Sequence, residues 1–274
     1  MLEVGKVNHM VVKKLSSIGI YLASEYGEIL MPAKYVPDGV YPGAEIQAFV
    51  YLDSEDRLIA TTLKPKAQVG DFALLSVKDT NAVGAFLDWG LEKDLLVPYS
   101  EQTRPMQVGE THLVRVYLDG SERIAASAKI SKFLEPRAKG LKSGDEVEVQ
   151  IYEFSDLGAK VIINGRYPGL LFKSELFGRY RVGDKTKGYV AKVREDGKID
   201  LTLRKGGTQE LAAGKDVVLS TLRENGGFLA VGDKSSPERI AELFRMSKKT
   251  FKTAIGNLYK EGVIEILPDG IKLR

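Results

Sequence analysis

The sequence contains no cysteine and only two histidines, His9 and His112, among its 274 residues. That excludes a disulfide scaffold, a thiolate metal site and a cysteine nucleophile. The two imidazoles are far apart in the chain. Long apolar runs are also missing, since none approaches the ~18 residues needed to cross a bilayer. The opening Met1-Leu2-Glu3-Val4 has neither a basic n-region nor an apolar h-region, so no secretory signal is visible and a cytoplasmic location is expected. No G-x-S-x-G, H-E-x-x-H or paired metal ligands occur. The stretch Gly178-Arg-Tyr-Arg-Val-Gly183-Asp-Lys185-Thr186 approaches a phosphate-binding loop, but Asp184 interrupts the required Gly-Lys-[Ser/Thr] and a strand-to-helix context is lacking. Carboxylate pairs such as Glu55-Asp56 and Glu195-Asp196 fall in expected hairpin turns. The expectation is a protein without catalytic residues, cofactor or metal.

What is present fits a folded chain: 43% apolar and 28% charged residues. The net charge of +3 hides a gradient. Residues 1–64 carry −2 and 65–137 carry −1, whereas 138–206 carry +4 and 207–274 carry +2. A polyanion is therefore steered first to the C-terminal half.

A threefold repeat organises the first 205 residues. Gly5, Gly70 and Gly144 set its register, and fourteen residues after each comes Gly19, Gly84 or Gly158, opening a short apolar stretch. A third glycine follows at Gly43, Gly109 and Gly183, and then a basic residue, Arg57, Arg123 or Lys198, begins a similar strand. Val114, Val116 and Leu118 alternate with Arg115 and Tyr117. Tyr189, Ala191 and Val193 alternate with Val190, Lys192 and Arg194. Period-2 alternation marks strands with one buried face. About five short strands in ~65 residues must close on themselves to hide their edges, which predicts five-stranded OB-type barrels.

The pattern, clearest in Gly158-Ala-Lys-Val161, Gly169-Leu-Leu-Phe172, Val182-Gly-Asp184 and Lys198-Ile-Asp-Leu-Thr-Leu203, resembles the S1 RNA-binding domain of ribosomal proteins. The third copy is expected to stand closest to it. The resemblance implies an RNA-facing aromatic two residues after the mid-repeat glycine, matched by Tyr21 and Phe86, with Lys160 in the third copy. It implies a further contact, often His, at the end of the next strand, where Met31, Val97 and Phe172 are expected and only Phe172 is able to stack. Trp89, the only tryptophan, is a candidate to extend the Phe86 platform. Core or edge packing is the alternative for each of these aromatics. Lys192 and Arg194 share a face by alternation, with Arg166 and Arg204 nearby in the pattern. Basic side chains interleaved with aromatics on a sheet are what tracks a single strand.

The last 68 residues change period. Asp216–Glu224 reads as a helix ending at Asn225-Gly226-Gly227. Ser236-Pro237 reads as the N-cap and first residue of a second helix, with Ile240, Leu243 and Phe244 on one face. Ser247 caps a third, with Phe251, Ile255, Leu258 and Tyr259 at helical spacing and Gly262 at its end. Val263–Leu267 and Ile271–Leu273 flank Pro-Asp-Gly as a hairpin. The order resembles a winged helix. Lys248, Lys249 and Lys252 crowd the start of the third helix, where the macrodipole disfavours cations by ~0.3–1 kcal/mol each. Phosphate contact there gives them a purpose.

The expected fold class is mainly β with a C-terminal α/β part: three S1-like OB barrels at 1–64, 65–137 and 138–206, then a winged helix at 207–274. In domain order and length this resembles the conserved virulence factor B family of bacteria, which implies RNA binding and altered expression of other genes. The expected partner is single-stranded RNA, mRNA or ribosome-associated RNA, with duplex DNA at the winged helix or a protein scaffold as alternatives and no membrane. Oligomeric state stays open.

Overall fold

In the computed structural model the described residues are 1–176, 178–204 and 208–274, the side chains of 208–213 excepted. The expected junction at 206–207 lies outside them. Contacts divide the chain into two compact units, Met1–Phe133 and Leu134–Arg274.

The first unit holds two barrels. The first consists of β1 (Val7–Ser16), β2 (Gly19–Ser24), β3 (Gly27–Pro32), β4 (Glu45–Leu52) and β5 (Leu58–Thr61), closed in the order β1-β2-β3-β5-β4. The second consists of β6 (Phe72–Asn81), β7 (Gly84–Asp88), β8 (Leu95–Pro98), β9 (Thr111–Leu118) and β10 (Ile124–Ser127). Its ladder runs β10-β9-β6-β7-β8, and β8 and β10 lie side by side where the other barrels are bonded shut. Alternation drives both barrels: inward Met10, Val12, Ile20 and Leu22 fill the first, and Leu75, Val77, Ala85 and Leu87 fill the second.

The two barrels of this unit share a core. Phe49 and Tyr51 of β4 are buried in the cluster that contains Trp89, Leu87 and Val116 of the second barrel. Phe49 meets Trp89 edge-on, with ring centroids 5.6 Å apart. Burial here pushes the Tyr51 phenol up to about 12. Lys93 of the second barrel donates to the carbonyl of Asp53 in the first at 2.6 Å.

The second unit begins with the third barrel: β11 (Glu146–Ser155), β12 (Gly158–Ile163), β13 (Tyr167–Phe172), β14 (Lys185–Val193) and β15 (Ile199–Thr202), closed in the order β11-β12-β13-β15-β14. The order matches the first barrel strand for strand, so the glycine register of the sequence is a register of structure. Gly183 precedes β14, with no helix after it, which accounts for the failed phosphate-loop match.

The winged helix follows as α1 (Thr208–Glu224), β16 (Phe228–Leu229), α2 (Pro237–Phe244), α3 (Lys248–Lys260), β17 (Ile264–Leu267) and β18 (Gly270–Leu273). The caps fall where expected. Ser236 accepts from the Arg239 amide, and Ser247 from the Thr250 amide. The Gly227 amide closes the end of α1 on the Leu222 carbonyl at 2.7 Å. Phe244 stacks on Phe251 at 4.8 Å in a core with Ile240, Ile255 and Leu258. Two expectations are corrected. Tyr259 is 52% exposed, off the buried face of α3. Helix α1 starts eight residues before Asp216, and Gly214 within it is buried against Thr250 and Ala254 of α3. There the missing side chain lets two helices approach. No helix among the described residues is long and apolar enough to cross a membrane.

Candidate nucleic-acid interface

The outer face of the third barrel gathers four of the twelve expected contacts, Lys160, Phe172, Lys192 and Arg194. Strand pairing aligns Lys160 of β12 with Leu170 of β13, Leu170 with Asp200 of β15, and Asp200 with Lys192 of β14. This row crosses four strands with its side chains outward. Phe172 lies two residues along β13 on the same face, and the Arg194 guanidinium sits 5.8 Å from its ring centroid. Arg194 also pairs with Asp200 at 2.7 Å. Lys160 pairs with Glu153 at 2.7 Å, and that bond holds its pKa above the ordinary lysine value. Both partners are about half exposed, so the pair stabilises by about 0–1 kcal/mol and yields readily to a phosphate. Lys192 is exposed and forms no ion pair among the described residues.

A bulge between Val190 and Lys192 creates this placement. Simple alternation puts Val190 and Lys192 on one face. The extra residue, Ala191, lets Val190 turn into the core at 1% exposure while Lys192 turns out.

Other expected contacts are placed differently. Arg166 sits in the turn at the opposite end of the β12–β13 hairpin from Phe172, where it pairs with Glu135 at 2.5 Å. Arg204 donates to the carbonyl of Arg245 at 2.8 Å and lies 3.4 Å from the Thr250 hydroxyl. Its role is to tie the end of β15 to the turn between α2 and α3. Arg245, the residue it grips, has a left-handed backbone (φ 51°). Sequence reasoning missed this tie because it joins residues 41 apart.

The aromatic expectations divide in the same way. Tyr21 and Phe86 are half-buried on the outer faces of their barrels, and Lys14 lies 4.6 Å from the Tyr21 ring centroid. Trp89 is no platform. It is 3% exposed in the shared core, with Nε1 donating to the Lys93 carbonyl at 2.6 Å. Replacing Trp89 with Phe is expected to leave nucleic-acid affinity unchanged while lowering stability by about 2 kcal/mol, from a lost buried hydrogen bond and a partial cavity. Anisotropy titration and urea melts check the two halves of that result. Met31 and Val97 are fully buried, one residue out of register with Phe172. Strand pairing opposite the hairpin glycines puts Pro32 and Pro98 where the third barrel has Phe172.

In the winged helix, Lys248 and Lys249 flank the start of α3 beside the Arg204 tie and form no ion pair among the described residues. Lys252 pairs with Asp233 at 2.9 Å.

Comparison with known proteins agrees with this architecture. Residues 216–273 match the CvfB-like winged helix domain, and residues 4–63 and 69–129 each match the S1 domain. The matched S1 residues are in the first two barrels. The third, expected to be closest to the pattern, carries the architecture in its strand order. The chain is 28% identical over 232 residues to conserved virulence factor B of Staphylococcus epidermidis, covering 82% of this chain and 78% of that protein. It is 27% identical over 258 residues to the uncharacterized protein YitL of Bacillus subtilis, covering 91% and 86%. A crystal structure of a multidomain protein with nucleic acid binding domains from Streptococcus pneumoniae aligns over 99% of this chain and 98% of that one at 23% identity, with a TM-score of 0.42. S1 and winged helix domains are nucleic-acid-binding families, non-catalytic in general. With S1 domains leading into a CvfB-like winged helix domain, the chain is similar over most of its length to the conserved virulence factor B proteins.

Proposed function

We propose that this protein is a noncatalytic RNA-binding protein that holds single-stranded RNA on the third barrel and the start of α3. It acts post-transcriptionally in the cytoplasm, on mRNA or ribosome-associated RNA. The observation that carries this reading is the outward row Lys160, Leu170, Asp200 and Lys192 with Phe172 beneath Arg194. Flat rings beside cations suit unpaired bases on a charged backbone, at about 1–3 kcal/mol per stacked base. The Arg204 tie supports a path from this face to Lys248 and Lys249, since it fixes the end of β15 against the turn that precedes them.

A second reading has its own support. Unpaired lysines at the N-terminal end of a helix-turn-helix recognition helix are the usual approach to duplex DNA. Gel-shift titrations with single-stranded RNA and duplex DNA at two salt concentrations separate the two. Tighter binding of RNA, falling steeply with salt, is the expected result. Preference for the duplex moves the main site to the winged helix. Binding to neither leaves a protein scaffold.

A further inference from the structure

The second barrel differs from the others at one seam. In the first, Leu30 of β3 pairs with Ile59 of β5, and in the third, residues 169–171 of β13 pair with 199–201 of β15. In the second, β8 and β10 stand side by side at the two ends of the ladder, so the facing edge of each has no ladder partner. A cavity of about 530 Å³ lies along this seam, lined by Leu96 and Pro98 of β8 and Ile124 of β10, with the buried Tyr51 and Trp89 of the shared core also in its wall. Ligand sites typically span about 300–1,000 Å³. A second cavity of about 410 Å³ shares Leu52, Asp56 and Arg123 with the first and extends the groove to the exposed Tyr26.

Along both cavities Asp56, Asp94, Asp119 and Glu122 face only two cations, Lys93 and Arg123. Those cations are already engaged. Lys93 donates to the carbonyls of Leu52 and Asp53, and Arg123 is shared between Asp56 at 3.7 Å and Asp119 at 3.8 Å. Glu122 is exposed and forms no ion pair among the described residues. The segments 1–64 and 65–137 are themselves net acidic. A polyanion is repelled here and a cation is drawn in. The backbone sets two of these carboxylates apart. Asp56 and Glu122 hold the same left-handed position in the β4–β5 and β9–β10 turns, at φ 57° and 59°, where the third barrel has Gly197. Side chains are strained there and glycine is not, so both are kept against a backbone preference.

We propose that this groove in the N-terminal unit docks an extended, basic peptide segment of a protein partner. The cationic side chains of the peptide meet Asp56 and Glu122. Its apolar side chains settle on Leu96, Pro98 and Ile124, and its main chain faces the strand edges that the seam leaves without a ladder partner. A peptide satisfies all three features. Its side chains alternate in direction along an extended chain. Its amides offer both a donor and an acceptor to a strand edge. Its positive charge complements the four carboxylates. A nucleic acid brings phosphates against those same carboxylates. The proposal adds a protein partner and does not depend on the RNA-binding reading above.

The test is fluorescence anisotropy of the full chain with a labelled peptide of alternating arginine and valine, and with its analogue carrying glutamate for arginine. The arginine peptide is expected to bind about tenfold tighter than the analogue or better, and Asp56→Asn with Glu122→Gln to weaken it about tenfold. Val83→Lys, at an exposed turn tip that lines the larger cavity, should weaken it about fivefold. Asp38→Asn with Glu45→Gln removes the same charge from exposed positions that line neither cavity, and should change affinity by less than about twofold. Melting temperatures should match wild type, since all five positions are exposed. Trp89, the only tryptophan, lines the larger cavity and reports its occupancy through its emission. Equal binding of the two peptides overturns the proposal, as does no loss in the groove pair or an equal loss in the control pair. An emission shift with single-stranded RNA but none with the arginine peptide gives the groove to nucleic acid and overturns it too.

Discussion

Reversing charge at Lys192 and Arg194 together, by Lys192→Glu and Arg194→Glu, is expected to lower affinity for single-stranded RNA by about 100-fold at physiological salt. The salt slope should flatten by about 1.4, since each lost phosphate contact on a single strand removes about 0.7. Two features make this pair decisive. Lys192 has no competing carboxylate partner among the described residues, so its charge is available to a ligand. Arg194 lies over Phe172 and against Asp200. A glutamate there removes the cation from the ring and opposes a second carboxylate. Tyr21→Ala, on the more acidic first barrel, should cost less than tenfold. Titrations of the three proteins over a range of salt concentrations measure both quantities. An equal or larger loss at Tyr21 would place the main groove on the first barrel.

Gly158→Ala is expected to destabilise the third barrel by about 3 kcal/mol or more. Gly158 has φ +147°, and a Cβ built there would lie 2.0 Å from the Leu171 carbonyl oxygen and 2.9 Å from the Lys173 nitrogen. Both are backbone atoms of the adjoining strand and its continuation, so neither is able to swing aside. Gly165→Ala is the control. It too has a left-handed backbone, φ +66°, but nothing lies within 4 Å of the added atom. Only conformational strain remains, about 1 kcal/mol. Urea melts followed by far-UV circular dichroism give both values, and similar losses at the two sites would show that crowding is not the cause.

The crowding explains why the repeat was readable at all. A glycine that no other residue is able to replace leaves a fixed mark in each copy, and Gly19 and Gly84 are as crowded as Gly158. Helix caps were readable for a similar reason, because Ser236 and Ser247 satisfy amides within three residues of themselves. The outward cations of β14 were found by alternation. The bulge that puts Lys192 outside while Val190 goes inside has no signal in an unbroken run of alternating residues.

What stayed hidden depends on partners distant in sequence. Trp89 is core because Phe49, forty residues earlier, offers it an edge to pack against. Arg204 is a tie because Arg245 turns its carbonyl toward it. Met31 and Val97 were misplaced by one residue, and one residue is enough to exchange inside for outside on a strand. Strand β16 has only two residues, too few to show any period.

The core shared by Phe49, Tyr51 and Trp89 bears on how the N-terminal part comes apart. A chain cut after residue 64 would bare Phe49 and Tyr51 to water, and one begun at 65 would leave Trp89 without its edge contact. Neither half is a self-sufficient fragment. The first 133 residues should melt in one cooperative transition, with the two barrels lost at a single temperature, and they behave as one mechanical block under load.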